Sequence, residues 1–139
     1  MSKAGYKMGQ GADVVREACR VIWSDGEAER AGEFYADNFQ ADYPMTDWGE
    51  SVPGVAALAK QVRIDLPGYA ETIEELIEAD DEVVVRLTIT GTNPKTGESV
   101  SFRDVTMLTV KDGKITRQRG LTDYLSLYMQ LGVVEMRSG

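Results

Sequence analysis

Arg86 and Asp104 are the residues whose types and placement most directly suggest chemistry in this sequence. They fall in two runs with strand character, EVVVRLTITGT (82–92) and ESVSFRDVTMLTV (98–110), joined by the turn-forming stretch TNPKTGE. A turn that closes with Thr92 opposite Glu98 sets Arg86 opposite Asp104, Val84 opposite Thr106 and Thr88 opposite Phe102. A carboxylate facing a guanidinium stays ionised and can accept or orient a proton, while the guanidinium stabilises negative charge developing on a substrate. Asp42 is the candidate for a second acid–base group, the proton donor. A plain structural role competes with this reading. Cross-strand Arg–Asp pairs also occur as satisfied polar pairs on half-buried sheets, and at a solvent-open rim they contribute only ~0–1 kcal/mol.

Residue types that are absent narrow the chemistry further. The chain has no His, which removes imidazole acid–base work, Ser–His–Asp and Cys–His triads and most zinc sites. Its one cysteine, Cys19, has no partner for a disulfide or a CxxC pair and reads as a small core residue in a helical pattern. No glycine-rich phosphate loop is present. Acid–base work falls to Asp, Glu, Tyr or Lys, with no metal and no cofactor expected. A net charge of −8 argues against a nucleic-acid partner. Seven carboxylates crowd into ETIEELIEADDE (71–82), which reads as a solvated edge in preference to an acidic docking surface.

The elements that must position these residues follow from periodicity. Residues 1–12 read as a mobile lead-in, and 13–139 as one domain with 42% hydrophobic residues. Asp13 is expected to cap a helix carrying Val14, Val15, Ala18, Cys19, Val21 and Ile22 and ending at Asp25-Gly26. A short helix over 27–37 and a strand over 39–45 follow, then a loop and a helix opened by Ser51 and Pro53. Residues 70–79 are assigned as a strand, leading into a meander over 82–92, 98–110 and 114–123. Asp123 caps a final helix carrying Tyr124, Leu127 and Tyr128. Helices segregated from an antiparallel sheet make an α+β layout. No apolar run approaches the ~20 residues of a membrane span and no signal peptide is evident, so a cytoplasmic protein without membrane association is expected.

FYADNFQADYPM with the following PGVAAL, the strand-turn VKDGKI and the closing TDYLSLYMQLG together resemble the nuclear transport factor 2-like superfold and, within it, the SnoaL-like polyketide cyclases. The resemblance spans nearly the whole chain. It implies a curved antiparallel or mixed sheet wrapped around three N-terminal helices, a cystatin-like α+β barrel forming a cone with an internal pocket. It also locates family positions. The acid–base Asp of SnoaL-type cyclases falls at Gly120, and their pocket His at Thr106. Limonene epoxide hydrolases are similar too; their Arg falls at Arg86 and their two Asp at Thr88 and Gly120. Ketosteroid isomerases place one Asp near Asp42-Tyr43 and another at Thr106. Each of these mechanisms is therefore incomplete here.

The expected pocket face carries Arg86, Thr88, Phe102, Asp104, Thr106 and Gln118, joined by Asp42, Tyr43, Met45 and Trp48 from the first strand and its loop. Trp48 is a pocket lid or a packing anchor, and Tyr124 and Tyr128 are core or pocket-wall residues in preference to catalytic phenols. Two functions stay open. One is an enzyme performing cofactor-free cyclisation, isomerisation, dehydration or epoxide opening on a small apolar polyketide-like or terpenoid-like molecule. The other is a non-catalytic ligand-binding or scaffold module of the same fold. The strands carry apolar residues on both faces, so a homodimer through the outer sheet face is expected.

Overall fold

In the computed structural model, which describes residues 9–44 and 51–138, the runs rich in Val, Ile and Thr become strands. These are β1 (Tyr35–Asp42), β2 (Ala70–Ala79), β3 (Glu82–Thr92), β4 (Ser99–Lys111) and β5 (Lys114–Thr122). Their order across the sheet is β1-β5-β4-β3-β2. Strands β2 to β5 form an antiparallel meander, and β1 joins β5 in parallel, so the sheet is mixed. The α+β class and the strand at 70–79 are as expected. The expected closure into a barrel does not occur, because β1 and β2 stand at opposite edges. Helices seal the apolar face instead, so closure is not needed to bury it.

Helix α1 (Gln10–Ala18) runs on as a π-helical turn, Cys19–Ser24. It starts before Asp13, inside the expected lead-in, because Glu78 of β2 reaches over to accept the N–H groups of Gly9 (3.2 Å) and Ala12 (2.8 Å). Residues 27–37 are not one helix: a 3-10 segment at Ala28–Glu33 gives way to β1. Tyr35 and Phe39 bury edge to face there, at 5.0 Å and 79°, and that burial overrides the helix-forming Glu, Ala and Arg around them. Helix α2 (Val52–Asp65) opens at Ser51, whose Oγ accepts the Gly54 N–H at 3.4 Å. Helix α3 (Tyr124–Gln130) opens at Asp123, whose carboxylate accepts the Ser126 N–H at 3.1 Å.

The register of β3 on β4 decides the site. Thr92 stands opposite Ser99, so Arg86 faces Val105, and Asp104 faces Leu87. The loop holds one residue more than expected. Asn93 organises it, donating its N–H to the Glu98 carbonyl (2.8 Å), accepting the Gly97 N–H (2.8 Å) and accepting the Lys95 N–H on its side chain (2.9 Å). A slip of one residue moves a side chain to the other face. Arg86 and Asp104 are therefore on opposite sides of the sheet, and the expected pair does not form. Burial explains the choice. The observed register puts Val83, Val85, Leu87 and Ile89 on the same face as Val100, Phe102 and Leu108, all buried. Each contributes roughly 1.5–3 kcal/mol. The alternative would turn Arg103 inward for a pair worth at most ~1 kcal/mol.

Candidate active site

Between the sheet and the helices lies a cavity of about 360 Å³, within the ~300–1,000 Å³ range of small-molecule sites. Leu87, Ile89 and Phe102 form its sheet wall, and Leu58, Val62 and Leu127 belong to its helical side. Asp104, Thr106 and Gln118 enter the same space because each sits on the inward-facing side of its strand.

Tyr43, just past the end of β1, is buried among these three. Gln118 Nε2 donates to the Tyr43 hydroxyl oxygen at 2.8 Å, Tyr43 donates to Thr106 Oγ1 at 2.6 Å, and Thr106 donates to the Arg119 carbonyl at 3.1 Å. Asp104 Oδ1 accepts from Thr122 Oγ1 at 3.1 Å, and the Tyr43 hydroxyl, whose proton goes to Thr106, lies beside that carboxylate. Burial pushes the Asp104 carboxyl above its ordinary range, and the hydrogen bond from Thr122, the neighbouring Tyr43 hydroxyl and the Val105 backbone hold the rise back. Burial, then the charge of Asp104, drives the Tyr43 phenol strongly upward, so it stays protonated. Gln118 is 7% exposed, and its Oε1 is buried without a hydrogen-bond partner among the described residues. Gly120 completes the arrangement, since a Cβ there would run into the Tyr43 ring. The space a side chain at 120 would occupy is filled by that phenol.

A second acidic group comes from a residue that sequence reasoning left at the solvated edge. Glu71 of β2 lines the cavity and accepts a hydrogen bond from Tyr69 Oη at 2.8 Å, with the Cys19 thiol as a further partner. Its carboxyl is pushed up to about 7, chiefly by burial and further by the charge of Asp104, against the two hydrogen bonds. Burial and the Glu71 charge raise the Cys19 thiol, which stays protonated as a donor. Ser24 Oγ clamps this strand end, accepting the Glu71 N–H at 2.9 Å. Trp23, on the π-helical turn, donates Nε1–H to Tyr35 Oη at 2.9 Å and leans on Tyr69 at 6.5 Å.

The cavity thus brings together Asp104, Tyr43, Phe102, Thr106 and Gln118 of the expected residues. Arg86 lies on the outer face, paired at 2.9 Å with Glu75, and Thr88 shares that face. Asp42 is exposed at the end of β1. Met45 and Trp48 lie outside the described residues. Glu71, Tyr69 and Tyr35 were missed. The one available signal is the alternation Tyr69-x-Glu71-x-Ile73, which puts a carboxylate in an inward row, and only the pairing of Glu71 with Ile89 shows that this row faces the core. Tyr124 and Tyr128 do line the wall, stacked at 5.8 Å and 21°.

A mixed five-stranded sheet with helices packed on it and an apolar hollow holding a few convergent polar groups defines the class of nuclear transport factor 2-like folds. Within that class, residues 13–131 match the SnoaL-like polyketide cyclase family, and the chain belongs to it. No curated protein matches the sequence. Among solved structures, two proteins provisionally assigned as polyketide cyclases superpose closely. One, from Acidithiobacillus ferrooxidans, has TM-score 0.83 and 21% identity, over 94% of this chain and 99% of that one. The other, from Bacillus cereus, has TM-score 0.83 and 25% identity, over 97% and 91%. IdmH from Streptomyces antibioticus, with the same provisional assignment, has TM-score 0.79 and 20% identity, over 88% and 99%. These likenesses speak to the fold.

Proposed function

We propose that the protein is an enzyme that moves protons on a small, largely apolar organic molecule held in the hollow, in a cyclisation, isomerisation, dehydration or epoxide opening of a polyketide-like or terpenoid-like substrate. The observation that carries this reading is Asp104. It is a carboxyl 6% exposed in an apolar cavity, hydrogen-bonded by the Thr122 hydroxyl and paired with no cation among the described residues. Asp104 is the base. Glu71, which still holds a proton in part of the population near neutrality, is the acid. Two carboxyls pushed to different proton affinities by their surroundings divide acid and base work between them. Tyr43, Thr106 and Gln118 hold the base and substrate in place.

The test is turnover of a panel of polyketide-like, epoxide and enone substrates by the Asp104→Asn variant. A loss on the order of 10²–10⁴-fold is expected of a general base. Unchanged turnover removes Asp104 from the mechanism. The second reading, a non-catalytic ligand-binding module, is favoured by one observation: the position where the family's cyclases carry their acid–base Asp is Gly120, and the Tyr43 ring fills that space. Panel substrates that bind in the hollow and are never turned over, by wild type or variant, would establish it.

A further inference from the structure

We propose that the hollow is built for a ligand carrying a protonated amine on an apolar body of aromatic size. This deepens the reading above, and rests on the hollow being the ligand site. Among the described residues, the lining holds three carboxyl groups and no Lys or Arg: Asp65 on α2 at the exposed end of the wall, then Glu71 and Asp104 inside. Neither inner carboxyl has an ion-pair partner there; their neighbours are the hydroxyls of Thr122, Tyr43 and Tyr69 and the Cys19 thiol. An independent feature points the same way. Gln118 Oε1, buried and without a partner among the described residues, is an acceptor on the cavity lining that a donor on the ligand would satisfy.

An ammonium group answers all of these at once. It brings positive charge to a region where two acids repel each other, and it donates up to three hydrogen bonds to acceptors already in place. The aromatic walls add to this, since Trp23, Tyr69 and Phe102 line the same space and ring faces attract cations. A carboxylate ligand would meet two acids and no base, and a neutral alcohol would satisfy Gln118 while leaving the acids uncompensated.

The experiment compares naphthylmethylamine, naphthylmethanol and naphthoic acid, three probes with one body and three head groups, by isothermal titration at low salt. The wild type and the isosteric Glu71→Gln/Asp104→Asn double variant are measured side by side, with folding checked by circular dichroism. The amine is expected to bind about tenfold or more tighter than the alcohol, and the acid most weakly. The double variant is expected to bring amine and alcohol within roughly threefold of each other. An alcohol that binds wild type as tightly as the amine overturns the proposal and leaves the hollow as a ligand site. So does an amine preference undiminished in the double variant, which would assign it to the net charge of the whole chain. Failure of all three probes to bind overturns both this inference and the reading beneath it. Should the double variant not fold, Gln118→Leu is the second measurement, and an amine affinity unchanged by it overturns the proposal equally.

Discussion

Glu71 sets the most readable consequence at the scale of single residues. Its carboxyl titrates at about 7 in the fold against an ordinary 4.5, and the groups around it are Tyr69, Cys19 and, through its charge, Asp104. The folded state thus holds the proton more tightly than the unfolded chain. The stability linked to this is fully present below about 4.5, declines as pH rises and is gone above about 7. A shift of this size corresponds to about 3 kcal/mol. Glu71→Gln is expected to abolish that decline, so urea unfolding of wild type and variant should converge at pH 4.5 and diverge in the variant's favour at pH 8. Parallel curves at both pH values would show that the carboxyl is not desolvated. Tyr43 and Gly120 make the complementary point, because a missing side chain at 120 is what admits the phenol. Gly120 is legible in the sequence as a lost family Asp, but its replacement comes from 77 positions away and is not.

At the scale of elements, Arg63 ties the back of the site together. Its Nη1 donates to the carbonyls of Trp23 (3.0 Å), Ser24 (3.1 Å) and Tyr69 (3.1 Å), joining α2 to the end of the π-helical turn and the entry to β2. Gly26 fits this twice over: its φ of +75° suits glycine, and a Cβ there would strike the Arg63 side chain. Arg63→Met is expected to lower stability by about 2 kcal/mol, since helix-end carbonyls lose a charged donor. It should also weaken probe binding in the hollow, as Trp23 and Tyr69 loosen. Chemical unfolding and titration check the two effects, and a stability change within about 0.5 kcal/mol would mark the contact as incidental. The acidic stretch 71–82 is equally an element-scale feature. Glu78 caps α1, Glu75 pairs with Arg86, and Glu82 bonds Thr109 and Arg119, so it is a set of structural partners more than a solvated edge.

At the scale of the whole molecule, the outer face of the sheet carries exposed apolar side chains. Ile77, Val105, Met107 and Leu121 are 64%, 47%, 43% and 69% exposed. Ile77, Val84 and Met107 stand in register across β2, β3 and β4, with Val105 and Leu121 paired beside them. We propose that a second copy covers this face, since an apolar area of this kind is rarely left in water. Sedimentation at micromolar concentration is expected to give a dimer for wild type and a monomer for Met107→Glu; a wild-type monomer would overturn the proposal. Among the described residues, no helix is long and apolar enough to cross a membrane.

The sequence by itself determined most of the element types and the meander of strands, the span 27–37 being the exception. Strand alternation, the caps at Ser51 and Asp123 and the turn residues are local properties, each read within a few positions of chain. It also placed Asp104, Thr106, Phe102, Gln118 and Tyr43 together. What it could not determine was which face β2 and β3 turn inward. That depends on loop closure at Asn93, where one residue decides between Arg86 and Leu87 as the neighbour of Asp104. The same holds for Glu71, whose row becomes interior only through its pairing with β3. Tertiary structure settled both, because strand register is chosen by the sum of apolar burial across the whole sheet, and a single ion pair is too weak to bias it.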